Sequence, residues 1–259
     1  MYSMSFVIII LIMVAVIYLL LILATQWVKL ERVRYSCGIG ARILQISDLH
    51  VEKLRIRPKR LTRLIKKEAP DYIFLTGDFT QKSRYLPKVQ RYAQAIVNPG
   101  IPVFAVMGNH DHRLSPTAFN QLIRILENTG IKVLSNRSAV VDHFQIVGID
   151  DFGSKKSKVN SAFAKVDPSK PIIVITHNPN IVLSMTRKYT YLMAGHFHGM
   201  QFNVPFLFRY IDKGKLAADG IYKGMHSGAY GKFYISKGIG QAGINARFLI
   251  RSEVTLHEL

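Results

Sequence analysis

The sequence predicts an α/β domain built on parallel strands and carried behind one apolar N-terminal helix. Three observations lead there. Short apolar runs alternate with segments of helical periodicity through the first half of the chain. Residues of metal-ligand type stand at the C-terminal ends of those runs, where parallel sheets gather their functional groups. Residues 6–25 contain no charged side chain, and the first charge in the chain is Lys29.

The N-terminal stretch comes first. Its 20 residues make about 30 Å of helix, the thickness of a bilayer core. Trp27, just beyond it, suits the membrane interface. A removable signal peptide needs a basic leader, a shorter apolar run and a small-residue cleavage site. Residues 1–5 carry no Lys or Arg, no such site follows, and a twin-Arg signal is absent. The expectation is an uncleaved single-pass anchor that meets the lipid bilayer through residues 6–25. Lys29, Arg32 and Arg34 follow the span and no basic residue precedes it. The positive-inside rule then places the following domain on the cytoplasmic side of the cell membrane. The expected division is 1–28 anchor, 29–40 basic juxtamembrane linker and 41–259 catalytic domain.

Composition narrows the chemistry. Lys and Arg number 35 against 16 Asp and Glu, a net charge of +19 in 259 residues. Such a field favours anionic partners: nucleic acid, a membrane surface or phosphorylated substrates. Cys37 is the single cysteine, which excludes an intrachain disulfide and cysteine-based zinc sites. Any metal must be held by His, Asp, Glu or Asn.

The elements follow in order. A strand over 41–47 ends in Asp48-Leu49-His50. A helix over 58–68 sets Leu61, Leu64 and Ile65 on one face and stops at Pro70-Asp71. A strand over 72–75 runs into Thr76-Gly77-Asp78, a helix follows over 87–97, and the apolar run 101–107 delivers Gly108-Asn109-His110-Asp111. This βαβαβ order implies parallel pairing. Further strands are expected at 132–134, 139–141, 144–148, 171–175, 191–194, 232–236 and 253–256. The run 171–175 ends in Thr176-His177-Asn178-Pro179, and 191–194 ends in Gly195-His196-Phe197-His198-Gly199. Residues 206–230, with Arg209, Lys213, Lys215 and Lys223, read as a long loop or helical insertion, a basic and apolar mouth for a lipid substrate.

Five strand ends thus carry carboxylate, amide oxygen and imidazole, donors that suit Mn, Fe, Zn or similar divalent ions. In an extended Asp-x-His or His-x-His, both side chains point the same way. The candidates Asp48, His50, Asp78, Asn109, His177, His196 and His198 exceed the needs of one open site. They match two metals sharing a carboxylate. A satisfied core histidine or a solvated turn accounts for any one of them, but packing does not demand ligand chemistry at five separate turns. Asp111 offers a carboxylate that could orient the His110 imidazole.

The ordered set Asp48-x-His50, Gly77-Asp78, Gly108-Asn109-His110-Asp111, His177 and Gly195-His196-x-His198 resembles the calcineurin-like metallophosphoesterase family. The resemblance runs from about Arg42 to the C-terminus. It implies an αββα sandwich of two mixed sheets flanked by helices. It implies a centre of two divalent metal ions, Mn first, with Fe, Zn, Ni or Co as alternatives. Asp48, His50 and His198 would serve one ion, Asn109, His177 and His196 the other, with Asp78 bridging. His110 would be the catalytic residue, facing the scissile phosphate without binding metal, and Asp111 would orient it. The anchor, the run Gly195-His196-Phe197-His198-Gly199-Met200-Gln201, and the tail Tyr234-Ile235-Ser236-Lys237-Gly238-Ile239-Gly240 resemble a membrane-associated bacterial subgroup. That subgroup includes UDP-2,3-diacylglucosamine pyrophosphatases. Phe197 stands where Thr is usual, Met200 where Gly is usual, and Ser252 replaces a frequent Pro.

The expected function is membrane-anchored phosphohydrolysis of a phosphoester or pyrophosphate bond. A metal-bridging hydroxide would attack phosphorus and His110 would assist the leaving oxygen. A nucleotide-linked lipid is one substrate class. The alternatives are a phosphodiesterase acting on nucleotides or nucleic acid, and a non-catalytic scaffold. The full ligand set argues against the scaffold, and the anchor and the lack of a nucleic-acid module argue against nucleic acid. The basic run Lys53, Arg55, Arg57, Lys59, Arg60, Arg63, Lys66, Lys67 would meet phosphate, lean on anionic lipid, or form a solvated face. His112 reads as rim, His143, His226 and His257 as structural or surface residues, and Asp150-Asp151 as a turn.

Overall fold

The computed structural model describes residues 4–202, 204 and 212–259. Residues 206–211 of the expected insertion, Arg209 among them, lie outside the described residues. Among those described, helix α1 (Met4–Gln26) leads into β1 (Lys29–Arg34) and β2 (Arg42–Ile46). Helix α2 (Pro58–Glu68), β3 (Tyr72–Thr76), α3 (Leu86–Val97), β4 (Val103–Val106), α4 (Pro116–Asn128) and β5 (Ile131–Val133) complete the first half. The second half holds β6 (Arg137–Val141), β7 (Phe144–Gly148), α5 (Val159–Ala162), β8 (Ile172–Ile175), β9 (Tyr191–Ala194), α6 (Lys215–Ala218), β10 (Gly224–Gly228), β11 (Gly231–Ile235) and β12 (Glu253–Glu258).

The strands form two six-stranded mixed sheets, in the orders β1-β12-β2-β3-β4-β5 and β10-β11-β9-β8-β7-β6. Strands β2 to β5 pair in parallel, as do β7, β8, β9 and β11. Two-residue periodicity builds the layers. Ile43, Phe74, Phe104 and Val106 face the second sheet, where they meet Ile146, Ile173, Ile175, Tyr191 and Met193. Their neighbours Leu44, Ile46, Ile73, Leu75 and Ala105 face the other way, onto α2, α3 and α4. Beyond the second sheet, Val174, Leu192 and Ile235 pack against Ala162, Ile181 and Leu216. The result is the expected sandwich of two mixed sheets flanked by helices.

Three segments depart from the sequence reading. Within the expected loop or helical insertion, Gly224–Gly228 forms β10 and pairs antiparallel with β11, a strand of glycines and polar residues that carries no apolar run. The stretch expected as linker begins with a strand: β1 pairs in parallel with β12 from Lys29 opposite Glu253 to Arg34 opposite Glu258. Its short edge is held by ion pairs from Arg32 to Glu68 (2.5 Å) and Arg34 to Glu258 (2.7 Å). The pairing partner lies more than two hundred residues away, so no local pattern announces it. Helix α4 is an addition between the expected elements. Ser115 caps it by accepting from the Ala118 N–H, Pro116 opens it, and Ala118, Leu122 and Leu126 form its buried stripe.

A polar chain crosses the layer between the sheets. Tyr191 donates to His257 Nδ1 (3.1 Å), and His257 Nε2 donates to Gln45 Oε1 (3.0 Å). Gln45 Nε2 in turn donates to Thr76 Oγ1 and to the Ala194 carbonyl. Every member is paired, the condition for a tolerable buried network. Burial pushes the His257 imidazole down to about 3, against about 6.5 in an unfolded chain. Below pH ~6.5 the unfolded chain therefore takes up a proton that the native one refuses. Stability is fully present above that pH and falls as pH drops toward 3, by as much as about 1.4 kcal/mol per unit. His257→Gln should flatten this slope in detergent-solubilised protein unfolded between pH 7 and 4.5. An unchanged slope would remove His257 as its source.

Candidate metal centre

The C-terminal ends of β2, β3, β4, β8 and β9 meet at one edge of the sandwich and carry all seven expected ligands. Asp78 stands at the middle. Its Oδ2 lies 3.2 Å from His50 Nε2 and 3.2 Å from His177 Nε2. On one side, His50 Nε2 and His198 Nε2 are 3.3 Å apart, and His198 Nε2 is 3.4 Å from Asp48 Oδ1. On the other, His177 Nε2 is 3.1 Å from Asn109 Oδ1 and 3.2 Å from His196 Nδ1. The donors fall into two groups that share Asp78: Asp48, His50, Asp78, His198, and Asp78, His177, His196.

The surroundings fix which atoms point inward. His177 Nδ1 donates to the Thr76 carbonyl (2.8 Å), and His198 Nδ1 to the Gly240 carbonyl (3.2 Å). Both rings thereby turn a bare Nε2 lone pair into the cluster, the arrangement that prepares imidazole for a metal. Lone pairs and carboxylate oxygens then converge without a hydrogen to share. Burial opposes a charge on His177, but Asp78, Asp48 and Asp151 outweigh it and push the imidazole up to about 10, so with no cation bound a proton takes the Nε2 position that a metal would fill. A pair of divalent cations therefore fits the donor set.

The backbone is bent to allow this. Asp48, His50, Asp78, His196 and His198 all have φ between 37° and 73°, in the left-handed region. Each costs about 1–2 kcal/mol for a side chain other than glycine, so the fold around them holds the strain. The glycines beside them permit the close approach. A Cβ on Gly108 would lie 2.2 Å from Asp78 Oδ1, and one on Gly195 would lie 1.8 Å from Ser47 Oγ.

His110 sits at the edge of the cluster, its Nε2 4.0 Å from Asp78 Oδ2. Burial, with His50 and Arg113 as positive neighbours and Asp78 opposing, pushes the imidazole down to about 3. Its orienting partner is Gln81, whose Oε1 accepts from His110 Nδ1 at 2.7 Å. The expectation that Asp111 does this is overturned. The Asp111 carboxylate accepts from the backbone N–H groups of Asp78, Gly108, Phe79 and Thr80 and ties the second motif to the third. No sequence signal distinguishes Gln81, three residues past Asp78 in an extended loop.

A cleft of about 340 Å³ opens beside the cluster, with Asn109 and His196 on its wall and His112, Arg113, Lys156 and Asn178 around it. His112 is more than rim: Nε2 meets Asp150 Oδ1 at 2.7 Å and the ring stacks on Phe119. Asp150 and Asp151 are buried just ahead of a turn at 152–155 rather than in it, with Asp151 Oδ2 accepting from Ser154 N–H.

Behind His198 lies Arg247, fully buried and absent from the sequence reading. Its guanidinium donates to the carbonyls of Gly240 (2.6 Å), Lys237 (2.8 Å), Gly238 (3.0 Å) and His198 (3.3 Å). The turn that carries His198 and the neighbouring loop 237–240 are thus pinned by one side chain. The departures from the resembled pattern also have visible consequences. Phe197 fills the outer core beside His196, and Met200 takes a left-handed φ of 65°, where Gly is at ease.

The sheet sandwich and the paired Asp and His groups define a metallophosphoesterase, with a candidate dinuclear metal site. The chain belongs to the calcineurin-like phosphoesterase family, whose model matches residues 41–200. It is 37% identical over 233 residues to YkoQ of Bacillus subtilis (strain 168), described as an uncharacterized metallophosphoesterase, with 86% of each chain covered. It is 27% identical over 217 residues to the UDP-2,3-diacylglucosamine pyrophosphatase LpxG of Chlamydia trachomatis, covering 64% of this chain and 66% of that one. One solved crystal structure aligns with a TM-score of 0.50 at 13% identity, over 75% of this chain and 89% of the other, a likeness of fold alone.

Proposed function

We propose that this hydrolase is a membrane-anchored, dinuclear-metal phosphohydrolase acting on a lipid-linked phosphoester or diphosphate. A nucleotide-linked lipid such as UDP-2,3-diacylglucosamine is the leading substrate class, on the strength of the likeness to LpxG. One observation carries the reading: the seven-donor cluster lies in the domain whose first strand continues from α1, a helix long and apolar enough to cross a membrane. Residues 4–20 of that helix are exposed, and burial begins at Leu21, in its last turn and a half. Lys29, Arg32 and Arg34 after the helix favour a cytoplasmic catalytic domain.

Asp48, His50, Asp78 and His198 would hold one ion, and Asp78, Asn109, His177 and His196 the other. Their oxygen and imidazole donors favour Mn over softer ions. When bound, such a pair supplies Lewis-acid charge for the phosphate oxygens and makes water acidic enough to ionise near neutral pH. The chain's own groups do the rest. Arg113 and Lys156 draw phosphate charge into the cleft. Gln81 fixes the His110 ring with Nδ1–H outward and Nε2 toward the cluster. An anionic phosphate beside that ring raises its proton affinity, so His110 gains the proton it delivers to the leaving oxygen.

His110→Ala should lower turnover of bis-p-nitrophenyl phosphate about a hundredfold to ten-thousandfold, with metal content unchanged. Full turnover would end the leaving-group role. The substrate class is tested with the full chain in detergent and added Mn²⁺, on UDP-2,3-diacylglucosamine and on single-stranded DNA. Hydrolysis of the lipid diphosphate supports the reading, and cleavage of DNA alone reverses it.

A further inference from the structure

The basic run after the first motif turns out to hold the end of α1. Arg60 donates to the Gln26 carbonyl (2.8 Å) and Arg55 to Thr25 Oγ1 (3.2 Å). Ser252, where the resembled pattern has Pro, donates through its N–H to the Ala24 carbonyl (3.1 Å) and through its hydroxyl to the Thr25 carbonyl (3.3 Å). A proline has neither donor. The orphan carbonyls of a helix end are therefore met by the domain, with cations at the negative end of the dipole. α1 leaves the domain as a fixed rod.

The segment 242–251 rises along that rod. Arg247 N–H donates to the Leu21 carbonyl (3.2 Å), which places the segment beside the last turn and a half of the apolar helix. Lys53 and Arg55 hold it through the carbonyls of Gly243 and Asn245, Arg55 bridging to Thr25 of the helix. On its open flank stand Ile244 and Leu249, 68% and 71% exposed, with Trp27 at 62%. Beyond α1, Ile244 and Leu249 are the most exposed large apolar side chains among the described residues. Arg251 stacks over the Trp27 ring at 4.2 Å, an aromatic and a cation side by side, as at a bilayer interface.

We propose that segment 242–251 is a second membrane contact, which inserts Ile244 and Leu249 into the lipid beside α1 and seats the metal centre at the bilayer surface. It rests on α1 being a membrane anchor. The occupant is a bilayer because the flank continues the surface of an apolar helix, at the depth of that helix's own final turns. The link to the site is direct. Gln201 Nε2 donates to the Ile244 carbonyl (2.7 Å), and Gln201 Oε1 accepts from Ala242 N–H (3.1 Å). Phe248 N–H donates to the Gln201 carbonyl (3.0 Å), and Arg247 holds the His198 carbonyl. The segment is thus bolted to the turn that carries His198. A phosphate on a lipid headgroup then meets the cleft without leaving the membrane.

The test uses the full chain in phosphatidylcholine–phosphatidylglycerol vesicles. Environment-sensitive fluorophores are placed by Ile244→Cys and Leu249→Cys in a Cys37→Ser background, with Leu183→Cys as an exposed control away from the helix. Hydrolysis of bis-p-nitrophenyl phosphate checks that each labelled protein is folded. In the unmodified chain, quenching of Trp27, the only tryptophan, by brominated lipid reports the anchor itself. Blue-shifted emission and lipid quenching at 244 and 249, with position 183 in water, are expected. Trp27 quenched while 244 and 249 behave like 183 overturns the second contact and spares the anchor. An unquenched Trp27 removes both. Carbene footprinting of the unmodified chain from a lipid-tail diazirine repeats the measurement without substitution: labelling within 242–251 supports the contact, and its absence overturns it.

Discussion

Asp78→Asn should lower turnover of bis-p-nitrophenyl phosphate roughly a thousandfold and bring bound metal from two equivalents to below one. One oxygen, Oδ2, lies equally close to the histidines of both groups, 3.2 Å from His50 and from His177. The other accepts the backbone N–H of His110 at 2.8 Å. Asparagine preserves the shape and can keep the second contact. It then turns an NH2 toward two imidazole nitrogens and removes the one negative charge the two groups share. Structure around the site should survive, because Asp111 ties the motif loops independently of the Asp78 side chain. Elemental analysis of the purified full chain reads the outcome. Two retained equivalents would show that Asp78 does not bridge.

Arg247→Met should cost about 1–3 kcal/mol of stability and weaken metal retention on the His198 side first. A methionine fills the space, but leaves the Lys237 carbonyl buried without a donor and takes one donor from those of Gly238, Gly240 and His198, which keep Glu253 N–H, His198 Nδ1 and Gln201 N–H. Burial already pushes Arg247 down to about 10, still far above neutrality, so the charge is present at working pH. Arg247→Lys should recover only part of the loss, because an ammonium cannot span carbonyls spread around a planar guanidinium. Denaturant unfolding in detergent, read beside metal content, checks both variants. An Arg247→Met protein as stable as the parent would make the carbonyl cage dispensable.

The site was legible to the extent that its chemistry is local. Coordination needs particular donors at strand ends, and each motif writes its donors within two to four residues. Asp48 with His50 and His196 with His198 were therefore candidates by spacing, and their division between two ions came from the family resemblance. The continuous apolar runs that frame them marked strands buried on both faces, and the two-sheet layering followed from the family resemblance. Helix α4 was missed, although Ser115-Pro116 and the spacing of Ala118, Leu122 and Leu126 carry its local signal. The partners of those donors were not. Asp111 looked like the natural orienter of His110 because it is adjacent, yet the loop turns it toward four backbone N–H groups and brings Gln81 to the ring instead. In Arg55 the sequence shows one more cation in a basic run, whereas folding sets it against Asn245, 190 residues away.

By itself, then, the sequence determined the donor types, their order along the chain, the α/β fold class and the apolar leading helix. Those are properties of short segments, fixed by residue chemistry and by periodicities of two and 3.6. Only the tertiary structure decided that β1 closes a sheet with β12, that Gln81 and Arg247 hold the catalytic loops, and that segment 242–251 stands beside α1. Each of these joins surfaces distant in the chain, and such pairings are settled by the shape of the packed sheets, which no local window contains.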